Sequence, residues 1–352
     1  MNNEIFSERF KSARNLSGLS LQDLAEKLHN KVSRQALHKY EKGEVIPDSD
    51  MIALLSDALE VRPEFFFREV KVELGEIEFR KLTKLSAKEI TKVKEQTKDY
   101  LSRYIELEDI IGIQSDFKNP ITVARIDTFE EVEAAAIKVR KDWKLGSDPI
   151  FNALELLEDN HIKVVEISAG DAFDGMQTWV NGTIPVIAIN KNRDKKDDRV
   201  RFTVMHELGH LLLPIKHLPE NKKEVLCHQF AGAMLFPKEA VIMELGKSRQ
   251  RLLIQELGAL KQQYGISIQA IVMRLKDLKI VSDRYCSQFF FYLKQMNWRV
   301  DEPYDYSGFE KSNRFEQLLF RALAEEQISM SKAASLKNLK VSEFRAQSLI
   351  VA

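Results

Sequence analysis

Apolar residues in the first seventy positions recur at helical spacing between polar caps and turn residues. Phe6, Phe10 and Ala13 fall on one face of Glu4–Asn15 and predict an amphipathic helix. Ser20 offers an N-cap with Asp23 three residues on, and the helix Leu21–Leu28 follows. A short turn, His29 to Val32, leads into a second capped helix from Ser33 to Glu41, which stops at Gly43. Pro47 precedes a further helix, Asp50–Leu59. The charged stretch Glu76–Ile111 keeps apolar residues at helical intervals with almost no breakers, which predicts a connecting or dimerising helix.

After Asn119-Pro120 the pattern mixes periods. Phe129–Lys144 and Ile150–Asn160 read as helices and Ile162–Ile167 as a strand. Asn181-Gly182 is a hairpin dipeptide between Gln177–Val180 and Ile184–Ile189. The charged run from Asp194 to Asp198 leads into an apolar helix around Phe202–Leu213, and a second apolar helix spans about Lys222–Phe236 before Pro237. From about Arg249 onward the chain reads as predominantly helical. Two helix pairs there, Leu252–Leu278 and Ile328–Ser348, are expected to serve packing or partner contacts. The expected division is 1–70, a helical linker 71–118, a mixed domain 119–247 and a helical region 248–352. The fold class is therefore mainly α with a small α+β part.

Composition narrows the class without naming it. At 352 residues the chain is long enough for two or three cores. Fifty-three basic and fifty-three acidic residues cancel, so any nucleic-acid contact must come from a local surface. Two cysteines are too few for a disulfide framework and fit a reducing compartment. The N-terminus lacks a signal-peptide pattern and the run Phe289–Leu293 is too short to span a bilayer. A cytoplasmic protein without membrane contact is the expectation.

The apolar helix carries His206-Glu207-Leu208-Gly209-His210. Residues four apart share a helix face, so both imidazoles can grip one metal ion while Glu207 reaches a water beside it, the arrangement of a zinc peptidase. A catalytic zinc takes three protein ligands and keeps one open position. Glu224 is the expected third ligand, one zinc ion being held per chain. Cys227 at i+3 is a competing thiolate, and His228 at i+4 can hydrogen-bond a ligand or stabilise the oxyanion of a tetrahedral intermediate. Glu207 is the general base and His228 its catalytic partner. Two capped helices joined by a short turn give Ser20–Gly43 a helix-turn-helix plan. Ser33, Arg34, Gln35 and His38 are candidates for base edges in the major groove, with Gln22, Lys39 and Lys42 as phosphate contacts on a duplex operator. A palindromic operator would call for a homodimer, with Glu76–Ile111 as the place to look for its interface.

The joint pattern resembles bacterial and phage regulators in which an XRE-type helix-turn-helix is fused to an ImmA/IrrE-type metallopeptidase domain. The carrying residues are Ser33–Gly43, Arg201–His210 and the run Glu224–Pro237. The resemblance implies a lambda-repressor-like five-helix N-terminal domain, a gluzincin-like domain with a small sheet, and a helical C-terminal region. It implies His206, His210 and Glu224 as zinc ligands with Glu207 as base, and transcriptional control by cleavage of a regulatory protein. Similar fusions also look like antitoxins encoded beside a toxin, which gives the alternative of a non-proteolytic repressor that binds its cognate toxin. For the enzymatic reading, the strand Ile184–Ile189 is the expected place for a substrate backbone to add.

Overall fold

The computed structural model describes residues 3–75, 85–191 and 196–348. Among these are sixteen α-helices and one three-stranded sheet. The N-terminal unit comprises α1 (Asn3–Ser17), α2 (Leu21–Lys27), α3 (Arg34–Glu41) and α4 (Ser49–Leu59), with a 3-10 turn at Pro63–Phe67 in place of a fifth α-helix. Ser20, Ser33 and Asp48 cap α2, α3 and α4, and Ser20 and Asp23 complete a capping box. Phe6, Phe10, Leu24, Leu37, Leu55 and Phe66 form its core, and all are fully buried.

The charged stretch after residue 75 is helical as α5 (Ala87–Ile111); residues 76–84 lie outside the described residues. Where the sequence suggests a dimerising surface, α5 buries its apolar positions within the chain. Val93 and Leu101 pack on the sheet, and Tyr104 and Leu107 pack with Phe315, Leu318 and Leu319 of α14 (Arg314–Ala324). Its Asp99 accepts from Arg9 of α1 at 3.0 Å and from Arg103 at 3.1 Å, and Arg103 in turn donates to the Leu336 carbonyl of α15 (Met330–Lys337). One helix thus ties the N-terminal unit, the sheet and the C-terminal helices together.

Next come α6 (Phe129–Asp142), α7 (Ala153–Asp159) and the strands β1 (Lys163–Ile167), β2 (Gly175–Val180) and β3 (Ile184–Asn190). The Asn181-Gly182 hairpin forms with both residues at positive φ, as expected. The sheet order is β1-β3-β2, with β3 parallel to β1 and antiparallel to β2. This corrects the expectation for β3. It is the central strand, with both edges paired, and cannot accept an added peptide; the outer strand of the hairpin is β2. Pro185 is tolerated because it lies beyond the end of β1 and opposite Trp179.

Both faces of the sheet are covered, and the central strand β3 reads as a nearly continuous apolar run. Val165, Ile167, Val186 and Ala188 face α5, whereas Val164, Ile187 and Ile189 join the core beneath α8 (Asp197–Leu212). That core runs from Ile121 to Cys286 through α9 (Glu220–Leu235), α10 (Lys238–Leu245), α11 (Ile254–Tyr264) and α12 (Ile268–Asp277), and the division expected at residue 247 passes through it. Arg274 of α12 pairs with Glu133 of α6 inside it. Beyond lie α13 (Asp283–Gln295), α14, α15 and α16 (Val341–Gln347).

Candidate metal centre and DNA-facing helix

His206 and His210 fall one turn apart on α8, and Glu224 lies on α9, which packs alongside. The Nε2 atoms of the two histidines are 3.2 Å apart. Glu224 sets one carboxylate oxygen 3.3 Å from His206 Nε2 and the other 3.1 Å from His210 Nε2. A tetrahedral ion with bonds of about 2.0–2.1 Å holds its ligand atoms about 3.3 Å apart, so each of these separations suits two donors on one ion. Two imidazoles and a carboxylate are also the donor set of a catalytic zinc site. The three residues fit a single divalent ion.

Two features of the helix packing bring these side chains together. Gly209 faces Cys227, and a Cβ at Gly209 would sit 3.3 Å from the Cα, Cβ and Sγ of Cys227. The absence of a side chain there lets α8 and α9 approach closely. Cys227, the competing thiolate, is fully buried in this contact and belongs to the core cluster. Glu207 is buried at 2 % exposure, and β2 begins directly beside it: a Cβ at Gly175 would lie 3.4 Å from Glu207 Cγ.

His206, Glu224 and His228 form a second, looser group, with one donor atom each within 4.8 Å. The donor atoms of His206, His210 and Glu224 lie closer together; His228 stands beside them, with its ring 4.3 Å from that of His206. His228 Nδ1 lies 2.6 Å from the Glu224 carbonyl oxygen. A carbonyl only accepts, so Nδ1 carries the proton and Nε2 is the nitrogen left to act. His228 is exposed and Glu224 about one-third exposed, whereas the His206 and His210 side chains are nearly enclosed. The site therefore opens on the α9 side. Phe202, one turn before His206, lines that opening with its ring 5.9 Å from His228.

A buried ionic clamp fixes the metal-facing helix from behind, and the sequence reading assigned it no role. Arg201 is fully buried and pairs with Glu310. It also donates to the carbonyls of Gly265 at 3.1 Å and Ile150 at 2.6 Å. Glu310 accepts from the Ala153 amide at 2.7 Å at the start of α7, and burial raises its pKa. Lys261 of α11 lies 2.9 Å from Asp198 in the first turn of α8 and 3.0 Å from Glu302. Partners 41 to 109 residues apart leave no periodic signal, so pattern reading could not have paired them.

On the helix-turn-helix unit, Gln22, Ser33, Arg34, Gln35, His38, Lys39 and Lys42 are all exposed. Arg34, Gln35, His38 and Lys39 project from α3, opposite its buried Leu37. Ser33 has a second duty as the cap, accepting from the Ala36 amide at 3.2 Å. Gln22 is hydrogen-bonded to Glu26 at 2.8 Å.

An N-terminal helix-turn-helix and a mixed domain with a His-Glu-x-x-His helix beside a small sheet define a regulator-type fusion. Residues 10–66 match the helix-turn-helix family, and residues 157–276 match the peptidase family described as the IrrE N-terminal-like domain. The chain carries both domains, in that order, as the fusion named above requires. No curated protein matches it. Among the described residues no helix is long and apolar enough to cross a membrane.

Proposed function

We propose that this chain is a DNA-bound, zinc-dependent peptidase that cleaves a regulatory protein. The observation that carries the reading is the convergence of the His206 and His210 Nε2 atoms, 3.2 Å apart, with the Glu224 carboxylate, whose two oxygens lie 3.3 and 3.1 Å from them, and with Glu207 next in sequence to His206. These three residues would hold one zinc ion per chain, and such an ion lowers the pKa of a water and polarises a carbonyl. Glu207 takes a proton from the attacking water and returns it to the leaving amine. Its enclosure strengthens that interaction by excluding competing solvent. His228 has Nε2 left to act; donating to an oxyanion from there requires the imidazolium, because Nδ1 already serves the Glu224 carbonyl. Substrate enters over the open α9 side, past Phe202.

In the same reading, α3 lies in the major groove of an operator duplex. Arg34 suits guanine and Gln35 adenine, with Gln22, Lys39 and Lys42 on phosphates. The site of action is the compartment that holds the DNA, and a palindromic operator would recruit two copies.

The test incubates wild type and Glu207→Gln with candidate repressor and partner proteins, with zinc and with chelator. Cleavage by wild type alone, abolished by chelator, is expected. Identical behaviour of the two proteins overturns the peptidase reading. A second reading, a non-proteolytic repressor or antitoxin using the peptidase-like domain to bind its toxin or sense a ligand, is favoured by one observation. The N-terminal unit is anchored to α5 by the buried Arg9–Asp99 pair, so the DNA reader and the mixed domain are built as one body. A small toxin-like reading frame beside the gene, and full repression by Glu207→Gln, support that alternative.

A further inference from the structure

A cleft of about 480 Å³ lies between the helix-turn-helix unit, α5 and the end of β1, and no residue of the metal centre lines it. That volume falls in the range of small-molecule sites. Leu16, Leu19, Leu59 and Phe65 give the cleft an apolar wall from the N-terminal unit. A second wall is a stripe of α5: Lys92, Gln96 and Tyr100 follow at intervals of four and so share one helix face. Glu166, Ile167 and Ser168, at the end of β1, complete it. The charges along the cleft pair off with one exception. Lys27 lies 3.4 Å from Glu60, Arg103 lies 3.1 Å from Asp99, and Glu166 lies 3.2 Å from Lys191. Lys92 is half-buried and has no carboxylate partner among the described residues. One turn on, Gln96 Oε1 is enclosed and accepts no hydrogen bond. A buried acceptor left in that state is costly, and a ligand N–H or O–H would relieve it. Tyr100 packs against Tyr104 and Phe315 and presents a neutral phenol, since burial raises its pKa.

We propose that this cleft binds a small amphipathic organic anion, with its negative group on Lys92, an N–H or O–H donated to Gln96 Oε1, and an apolar body against Tyr100 and the leucines of the N-terminal unit. The charge count sets the ligand at a single negative charge, because the other ionic groups of the cleft already answer one another. The apolar wall selects against a bare inorganic anion, which would bury nothing there. The unmade bond at Gln96 selects for a donor close to the charged group, since Lys92 and Gln96 are one helical turn apart. The occupant touches the DNA-reading unit, α5 and the sheet together, which is the position of an effector rather than of a substrate of the metal centre.

The probe is anilinonaphthalene sulfonate, which carries one sulfonate, apolar rings and an anilino N–H. Its fluorescence is titrated with the full chain and with Lys92→Met, Gln96→Leu and Lys98→Met; the last removes a charge from α5 outside the cleft. Binding of about one dye per chain is expected, weakened about tenfold in Lys92→Met, about threefold or more in Gln96→Leu, and less than about twofold in Lys98→Met. Hydrogen exchange of the wild-type chain saturated with dye should slow at residues 16–19, 59–65 and 166–168, a readout that no substitution can disturb. Equal weakening in the two lysine variants, no weakening in Lys92→Met, or a footprint elsewhere on the chain overturns the inference. None of these outcomes depends on zinc or on peptide hydrolysis, so the cleft and the peptidase reading stand or fall separately.

Discussion

Gly209 of α8 packs against Cys227 of α9, with room for a Cβ only at 3.3 Å from that residue's Cα, Cβ and Sγ. This contact sets the separation of the two helices that supply His206, His210 and Glu224. In Gly209→Ala the gain in helix propensity, about 1 kcal/mol, is opposed by backbone crowding of about 1–3 kcal/mol. Crowding wins, because the atoms met include the Cys227 backbone. Net destabilisation and weaker zinc binding than wild type are expected, read by chemical unfolding and by competitive metal titration. A variant as tight for zinc as wild type would show that the helix spacing does not set the site.

Removal of one imidazole should empty the centre. His210→Ala leaves two of three protein donors, and bound zinc should fall from about one ion per chain to below about a tenth. Because a bound ion stabilises the folded state, chelator should lower the melting temperature of wild type and leave that of His210→Ala unchanged. Elemental analysis and paired melting curves check both.

The Arg201–Glu310 pair is fully buried on both sides. Removing one member of such a pair strands the other charge in the interior, at a cost of about 3–5 kcal/mol. Glu310→Ala is therefore expected to lower unfolding stability by that order and to loosen α8. A loss below about 1 kcal/mol would assign the clamp no structural weight.

Glu158 sits within a buried group. It accepts from Tyr104 Oη at 2.8 Å and the Val164 amide at 2.9 Å, with Lys163 Nζ 4.0 Å away and bonded to Glu108. Burial raises the Glu158 pKa from its ordinary 4.5 to about 7. The folded state thus binds a proton more tightly than the unfolded one, so stability falls as pH rises from about 4.5 to about 7. Glu158→Gln lacks this titration. Unfolding curves at several pH values should show the variant gaining up to about 3 kcal/mol on wild type across that window. A parallel pH profile for the two proteins would refute the assignment.

Base readers and phosphate contacts on α3 should separate by their salt dependence. Gln35→Ala should cost about 1–3 kcal/mol on the preferred operator and little on others, whereas Lys42→Ala should weaken all duplexes alike and lower the salt slope by about one. Anisotropy titrations on specific and scrambled DNA at three salt concentrations distinguish them.

Much of this was legible in the chain itself, because its signals are local. Ser20, Ser33 and Asp48 cap helices within four residues of themselves. Asn181-Gly182 forms a hairpin by its own backbone preference, and His206 and His210 share a face by helical repeat alone. Glu224 was reachable because α9 carries it in register with His228. What the sequence could not order were contacts set by topology. Both Gln177–Val180 and Ile184–Ile189 read as strands, yet the crossover that seats β1 beside β3 makes β3 central and leaves β2 outermost.

The chain alone therefore determined the two motifs, a capped helix pair with polar exposed positions and a His-Glu-x-x-His face, since each is written in residues near one another in sequence. Tertiary structure decided the rest. It placed Ala87–Ile111, within the stretch expected to be a connecting or dimerising helix, as the spine α5 between the sheet and the C-terminal helices, and set Cys227 against Gly209. It also set Leu74 against Val180 at one end of β2. The physical reason is the same in each case: an apolar stripe or a strand edge must be covered, but its sequence does not say by what.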